Sequence, residues 1–280
     1  MQNAPVIEAL DAPTSDQAAS NATEWQAGKY IDVYANDVLT PVEVQIFIRY
    51  QEKLSGRVLD VGCGAGRILG YLVMVGAQAH GIDLAPKMVE FCRMRLPDAD
   101  VRVGDASAIS DCVEGEFDVV IAPDNLIDVF GDAERRRFIS SVREVLALGG
   151  LFIFSCHDLG WADTNPGPRS FEQSSVSRTV RKLFERSPAE IARGVRNRRE
   201  RARNRRRLAP LEHRGDDHAI INDFPHNYSL LHYYIRRDGQ ERQLRELGYE
   251  LVECLGADGR AVGPGGSGPT DSLHYIARAL

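Results

Sequence analysis

VLDVGCGAGR, residues Val58 to Arg67, decides how this chain is read. An apolar strand ending in Asp60 runs straight into Gly62, Gly64 and Gly66, set two residues apart. An apolar-periodic segment, RILGYLVMVG, follows and reads as a helix ended by Gly76. Such a turn puts backbone N–H groups and a helix N-terminus at the carboxyl edge of the first strand, where open parallel sheets bind ligands. Glycine lets the chain turn tightly and lets a ligand lie against bare backbone. The dinucleotide fingerprint would place its next glycine at position 67, where Arg67 stands, so a pyrophosphate cofactor is disfavoured. Taken alone, the turn has a second reading as a tight strand-to-helix connection with no ligand.

Working outward, the same alternation repeats. Upstream, TPVE reads as a helix start with Thr40 as N-cap, Pro41 at the first helical position and Glu43 closing a capping box; Val44, Phe47 and Ile48 supply one apolar face, and Gly56 ends it. Downstream, AHGID reads as a second strand, PKMVEFCRMRL as a helix, DVRVGD as a third strand and FDVVIA as a fourth. DAERRRFISSVREVLALGG then reads as a helix with Phe138, Ile139, Val142, Val145 and Leu146 on one face, and LFIFSC as a fifth strand. Uninterrupted apolar strands between amphipathic helices require a parallel sheet covered on both faces, so the fold class is α/β. The alternation breaks after Cys156. An Arg-rich helical segment follows, with SPAE as a second capping box on Ser187 and a thin apolar stripe of Ile191, Val195 and Ala202. NYSLLHYYI then reads as an aromatic-rich strand, DGQERQLRELG as a helix, and ELVECL and SLHYIARAL as strands. This divides the chain into a disordered tail (1–24), one domain made of residues 25–156 and 227–280, and an inserted cap (157–226).

Composition excludes several classes. The 280 residues are 43% hydrophobic and 26% charged, which is ordinary for a globular protein. The longest apolar runs, such as LFIF and VVIA, are far too short to cross a bilayer, and MQNAPVIEALDAPTSDQAAS lacks the basic flank and apolar stretch of a secretory leader. Five scattered cysteines with no C-x-x-C argue against a disulfide frame or a zinc knuckle. The expectation is a cytoplasmic protein with no membrane partner. Its net charge of −6 hides a segregation: residues Arg178–Arg207 carry +10 and the rest of the chain −16. Arginine outnumbers lysine 30 to 4, which a coding bias accounts for, but bias does not account for the clustering.

Two further strand tips carry acids. Asp83 in GIDLAPKM can accept both hydroxyls of a ribose, with Leu84 and Met88 as an apolar wall for a base, and Asp105 in GDAS can accept from an exocyclic amine. Each also has a local reading as a helix cap or turn residue. With these residues in place, the sequence resembles the class I S-adenosylmethionine-dependent methyltransferases from about Arg57 to Ser155. LDVGCGAG resembles the family's first motif, GIDLAPKM its second, GDAS its third, FDVVIAPDNLIDVF its fourth and LALGGLFIF the segment after it. LRELGYELVECL and SLHYIARAL resemble its last helix and strand pair. The resemblance implies a Rossmann-like, doubly wound, mostly parallel seven-stranded sheet with an antiparallel last strand, plus a helical Arg-rich insertion after strand five. It implies S-adenosylmethionine as cofactor and S-adenosylhomocysteine as product. Gly62, Gly64, Gly66 and Arg67 would lie beneath the methionine part, Asp60 near its ammonium and Asp83 on the ribose. Leu84, Met88, Gly104, Asp105 and Ala106 would surround the adenine, and Ala122 to Asp124 would sit near the methionyl group. YIDVY resembles segments that close over the cofactor in this family, which puts Tyr30 or Tyr34 against it; core packing is the alternative.

Methyl transfer needs the acceptor held in line with the departing sulfur, and a base only where the acceptor must lose a proton. The tips of strands four and five nominate Asp124, Asn125, Asp128 and His157, with His157 the preferred base and a hydrogen-bonded structural histidine the competing reading. PDNLIDVF resembles the DNALPHL-like segment of glycine and sarcosine N-methyltransferases, with Asp128 where that segment has histidine. Asp124 with Asp158 would suggest a magnesium site of the catechol O-methyltransferase kind, but the Asp-Asn pair expected after strand five is His157-Asp158, so no metal is expected. Tyr233, in the aromatic strand, is a further acceptor-side candidate, with cross-strand packing as the alternative. The reading is an O- or N-methyltransferase of a small molecule, a metabolite or natural product with an anionic one suited to an Arg-rich lid. The alternatives are action on RNA, an acidic peptide or a carrier protein through that Arg-rich segment, and a non-catalytic cofactor-binding module. No motif specifies the acceptor atom or an oligomeric state.

Overall fold

The computed structural model describes residues 21, 38–165, 188–223 and 225–280. Its strands are β1 (Arg57–Val61), β2 (Gln78–Asp83), β3 (Asp100–Val103), β4 (Phe117–Ala122), β5 (Leu146–Asp158), β6 (His213–Arg214), β7 (His218–Ile221), β8 (His232–Ile235), β9 (Tyr249–Gly256) and β10 (Ser272–Ala279). The expected sheet is present: β3-β2-β1-β4-β5 are parallel, β10 pairs antiparallel with β5, and β9 lies outside it. β8, β7 and β6 extend it to ten strands among the described residues.

The helices are α1 (Pro41–Arg49), α2 (Gln51–Leu54), α3 (Arg67–Met74), α4 (Pro86–Arg95), α5 (Asp132–Val145), α6 (Leu159–Thr164), α7 (Pro188–Leu208), α8 (Pro225–Tyr228) and α9 (Arg237–Glu246). Both faces of the sheet are covered, which is why its strands are apolar throughout. On one face Ile46, Phe47, Ile68, Leu69, Leu72 and Val89 pack on Val58, Val119 and Ile153. On the other, Phe138, Ile139, Val142 and Leu244 pack on Leu59, Val120, Phe152 and Phe154.

Several boundaries differ from the sequence expectation. The Thr40–Glu43 capping box forms, but α1 buries Val42, Glu43, Ile46 and Phe47 and leaves Val44 and Ile48 exposed. The helix is rotated because Glu43 is drawn inward by Arg67, whose guanidinium meets both its carboxylate oxygens at 2.6 and 3.0 Å. α5 stops at Val145, and LALGG already belongs to a β5 that runs on through His157 and Asp158.

The insertion is not only helical. EHRGDDH forms the β6–β7 hairpin, and NYSLLHYYI splits into α8 and the four-residue β8. β8 takes the edge of β5 that β4 vacates. β4 pairs up to Phe154, β10 occupies the opposite edge, and β8 joins at His157 and Asp158. Three strands are thereby built out over the carboxyl edge of the sheet.

α7 exposes Val195 and Ala202 and buries Asn204 and Leu208, so polar contacts fix its C-terminal half: Asn204 Nδ2 donates to the Asn227 carbonyl at 3.0 Å and Arg201 Nε to Asn227 Oδ1 at 2.8 Å. Ser187 and all but one residue of the 1–24 tail lie outside the described residues. The exception, Asn21, is buried and clamps Val129 to Leu231: Nδ2 donates to both carbonyls at 2.9 Å, and Oδ1 accepts from Leu231 N at 3.2 Å.

The glycine turn is sterically determined at Gly66, where φ is +84° and an added Cβ would lie 2.7 Å from Cys92 Sγ and 2.8 Å from Leu96 Cδ1. Gly66→Ala is expected to lower unfolding stability by about 2 kcal/mol from left-handed strain and overpacking. Urea denaturation of the two proteins measures it, and equal midpoints would refute the assignment.

Candidate functional site

A cavity of about 420 Å³ opens at the carboxyl tips of β1, β2, β4 and β5. The glycine turn forms its floor, and its own amides are already engaged. Gly62 and Cys63 donate to the Ile82 carbonyl at 2.8 and 3.0 Å, Gly64 to Asp83 Oδ2 at 2.9 Å, and Gly66 to the Cys63 carbonyl at 2.9 Å. The first three anchor the loop to β2 and the fourth closes the loop on itself, so none of the four is left for a ligand. What the loop offers is space: a Cβ on Gly64 would meet only the Gly62 carbonyl oxygen, at 4.0 Å, on a surface facing the cavity.

The three strand-tip acids sit in different environments. Asp60 is wholly buried, lines the cavity, and neither of its carboxylate oxygens has a hydrogen-bond partner among the described residues. Burial pushes its carboxyl well above the ordinary range, and the Arg67 guanidinium only partly opposes that. Asp83 accepts one backbone N–H on each oxygen, from Ala85 at 2.8 Å and Gly64 at 2.9 Å; burial raises it, and those two donors work against the rise. Asp105 is exposed and caps the turn after β3, its Oδ1 accepting from Ser107 N and Oγ at 2.8 Å each. The cap reading of Asp105 therefore holds, and the same residue lines the cavity with Leu84, Met88, Gly104 and Ala106.

The opposite end is built by the turn after β4. Asp124 and Asn125 both adopt left-handed backbone, φ +54° and +55°, which is strained for residues other than glycine. Bonds from several elements hold them there. Arg67 joins Asp124 Oδ2 at 2.6 Å, the Asn125 N–H donates to Ser155 Oγ at 2.9 Å, and Asn125 Nδ2 meets Ser272 Oγ at 2.8 Å and His157 Nε2 at 3.2 Å. Burial raises Glu43, but the Arg67 guanidinium outweighs it and leaves that carboxyl below the usual range.

His157 stands at the end of β5. Asp128 Oδ2 accepts its backbone N–H at 2.6 Å and lies 2.7 Å from its Nδ1, in ionic contact rather than an aligned hydrogen bond. Burial would lower the imidazole pKa; the Asp128 carboxylate overrides it and raises it above 6.5. Asp128 is in turn paired with the fully buried Arg135 at 2.7 Å. Arg135 also donates to the Ile127 carbonyl, Gln240 and Gln243, and its guanidinium lies 4.7 Å over the Tyr233 ring.

The cavity thus brings together Asp60, Gly62, Gly64, Arg67, Asp83, Leu84, Met88, Gly104, Asp105, Ala106, Asp124, Asn125 and His157. It does not include Ala122, which is wholly buried in the core one residue before the lining starts at Pro123. Nor does it include Tyr233, whose side chain leaves β8 on the far face, stacks on His218 and donates to Asp132 Oδ1 at 2.6 Å. Tyr30 and Tyr34 lie outside the described residues. Asp158 is held by Gly160 N, Ser267 Oγ and Gly268 N. Of the two faces of the aromatic strand, it is the one carrying His232, not that of Tyr233, that lines the cavity, with His232 beside His157 and backed by Asp223. The period-2 alternation of the strand separates the two faces but does not say which one meets the cavity.

Residues 58–150 match the family model described as methyltransferase domain. A ubiquinone biosynthesis O-methyltransferase from Xanthomonas axonopodis pv. citri (strain 306) is 35% identical over 86 residues, 29% of this chain and 36% of that protein. One from Methylococcus capsulatus is 34% identical over 122 residues, 42% of this chain and 50% of that protein. The chain therefore spans about a third to a half of the curated relatives it matches. Among solved structures, an S-adenosylmethionine-dependent methyltransferase from Clostridium acetobutylicum shares the fold with a TM-score of 0.57 at 13% identity, covering 90% of this chain and 97% of that one. The CcbJ methyltransferase from Streptomyces caelestis does so with 0.56 at 16%, covering 91% and 98%. Residues 58–150 thus match the methyltransferase-domain family model, and the sheet has the fold of the solved S-adenosylmethionine-dependent methyltransferases.

An orphaned buried carboxylate destabilises the fold once it ionises. Because burial raises the Asp60 pKa above its unfolded value, its protonated form favours the native state at low pH, and that advantage is lost as pH rises through the folded pKa. Asp60→Asn is expected to stabilise the ligand-free protein at neutral pH by about 1–3 kcal/mol, with the gain shrinking toward pH 4. Denaturant titrations at several pH values measure it, and a pH-independent difference would contradict the assignment.

Proposed function

We propose that the protein is an S-adenosylmethionine-dependent methyltransferase acting on a small molecule. The observation that carries this reading is the cavity itself, with an unpartnered buried carboxylate, Asp60, at one end and a carboxylate-backed imidazole, His157, at the other. The donor set suits the cofactor. Asp60 lacks a cation, which an amino-acid ammonium would supply. Asp83 keeps a free lone pair on each oxygen for ribose hydroxyls, and Leu84 and Met88 offer apolar surface to a base. When bound, the cofactor supplies a methyl group activated on a sulfonium.

The protein's own residues hold and deprotonate the acceptor. Pro123, Leu126, Val129 and Phe130 wall its end of the cavity and exclude water. Asn125 holds His157 Nε2 until an acceptor hydroxyl or amine takes its place. An acceptor so placed would give its proton to Nε2 as its oxygen or nitrogen took the methyl group, the sulfur–methyl bonding pair remaining with the donor. Asp128 stabilises the imidazolium that forms, and Arg135 fixes Asp128. A small acceptor is favoured over RNA because the chain outside the Arg-rich segment is strongly acidic. The ubiquinone biosynthesis relatives are named for O-methylation, which agrees with a proton-accepting histidine.

Calorimetry with S-adenosylhomocysteine tests the cofactor half: Asp83→Ala is expected to weaken binding by about 10- to 100-fold, the loss of charge-assisted hydrogen bonds. Unchanged affinity, or no binding to either protein, would sink the reading. The base is tested by pH. His157 faces Asp128, Asp223, Asp271, His232 and Tyr234, and its raised pKa means the proton-accepting form gains population at higher pH than in a free imidazole. kcat/KM should therefore climb with pH, and Asp128→Asn should move the climb to lower pH while reducing the plateau by about 10²-fold or more. A climb left in place by that variant would assign the proton elsewhere.

A further inference from the structure

The acceptor end of the cavity carries a second imidazole. His232 is buried on β8 and lines the cavity together with His157. Its Nδ1 lies 2.8 Å from Asp223 Oδ1, and the other oxygen of Asp223 accepts the Tyr234 hydroxyl at 2.6 Å. Burial would raise Asp223, but His232, followed by His157, holds that carboxyl well below the usual range. The two imidazoles repeat one design: each turns Nδ1 toward a buried carboxylate, and their centroids are 5.1 Å apart with planes tilted by 41°. Since both Nδ1 atoms are committed to aspartates, the Nε2 atoms are the ones left for other partners. His157 Nε2 meets Asn125. His232 Nε2 has no hydrogen-bond partner among the described residues.

β8 exists in this position only because β5 extends beyond β4, and that extension brings His232 beside the tip that carries His157. A histidine kept for packing alone would not need its free nitrogen on a cavity wall. Nor would it need a buried carboxylate behind it, since an unpaired buried carboxylate is costly. Ring nitrogens of this kind suit oxygen functions. Nε2 accepts from a hydroxyl when neutral and donates to a carbonyl or phenolate oxygen when protonated.

We propose that His157 and His232 form a two-imidazole clamp for an acceptor bearing two adjacent oxygen functions, the hydroxyl to be methylated beside a second hydroxyl or a carbonyl. In this clamp His157 faces the reacting oxygen and His232 binds its neighbour through Nε2, making His232 a specificity-determining residue. The apolar Leu126, Val129 and Phe130 accommodate the ring or chain that carries the oxygens. The inference rests on the methyltransferase reading and goes beyond it in naming the acceptor class.

The test uses the full chain loaded with S-adenosylhomocysteine, titrated in the calorimeter with catechol, salicylaldehyde and phenol. Catechol or salicylaldehyde is expected to bind at least about tenfold more tightly than phenol, and which of the two wins separates the diol from the hydroxy-carbonyl. In His232→Gln that advantage should fall to about twofold or less, with phenol and S-adenosylhomocysteine affinities unchanged. Equal wild-type affinity for the three probes, absence of binding by all three, or an equal loss for all three in the variant overturns the clamp. The wild-type ranking stands whether or not the variant folds. If S-adenosylhomocysteine itself fails to bind, the methyltransferase reading falls first, and that outcome is distinct from failure of the clamp alone.

Discussion

The ion pair between Arg135 and Asp128 is the contact on which the acceptor end of this molecule depends. Both side chains are wholly buried, so neither charge is solvated by water. Bringing a guanidinium and a carboxylate into the interior costs more than their attraction returns unless their remaining hydrogen-bonding capacity is used. Here it is. Arg135 donates to the Ile127 carbonyl, to Asp128 and to the side-chain oxygens of Gln240 and Gln243, and its flat face lies over Tyr233. One side chain thus ties α5 to the turn after β4, to α9 and to β8. Asp128 spends its other oxygen on the backbone and ring of His157. A residue that does not itself line the cavity thus sets, through Asp128, the position and charge of the imidazole that faces it.

That arrangement explains why the strained turn after β4 persists. Two successive non-glycine residues with left-handed backbone are unfavourable, and such strain survives only where surrounding contacts over-determine it. Asp124 is pulled by Arg67 from α3, and Asn125 by Ser155, His157 and Ser272 from β5 and the start of β10. Arg67, at the position where a dinucleotide fold would have glycine, therefore has a definite function: it links α1, through Glu43, to the acceptor-side turn.

How much of this was legible depended on the sequence distance over which each contact acts. The strand-glycine-helix turn and the acids at Asp60, Asp83 and Asp105 are local patterns, and the fold places them as the alternation implied, because strand tips of a parallel sheet must share one edge. The engagement of the loop amides was not legible, since it depends on the carbonyl of Ile82 across the β1–β2 pairing. Arg135 was hidden in the run Arg135, Arg136 and Arg137, where helical phase alone separates a buried guanidinium from two partly exposed ones. His232 and Asp223 were hidden for a different reason. Their pairing requires β8 to dock on the overhang of β5, and that overhang is invisible while the fifth strand is read as ending at Cys156. Tyr233 was nominated from the same strand, and a one-residue step along β8 carries it to the opposite face, onto Arg135 and Asp132.

The electrostatics of the cavity have a direction. At the glycine end, neither oxygen of Asp60 has a hydrogen-bond partner among the described residues and burial disfavours its charged form, so a cation arriving there would draw out a negative charge that the distant Arg67 offsets only in part. At the acceptor end, each carboxylate is balanced, Asp128 by Arg135 and His157 and Asp223 by His232 and Tyr234. A ligand that carries a cation at one end and presents a neutral or oxygen-bearing group to the other is oriented by that asymmetry before any shape is considered. Placing a compensated imidazole pair opposite an uncompensated carboxylate also keeps the two from neutralising each other across the cavity, because each histidine is already committed to its own aspartate. The field that would hold a charged ligand in one orientation is therefore built from the same buried ion pairs that hold the strand tips in place.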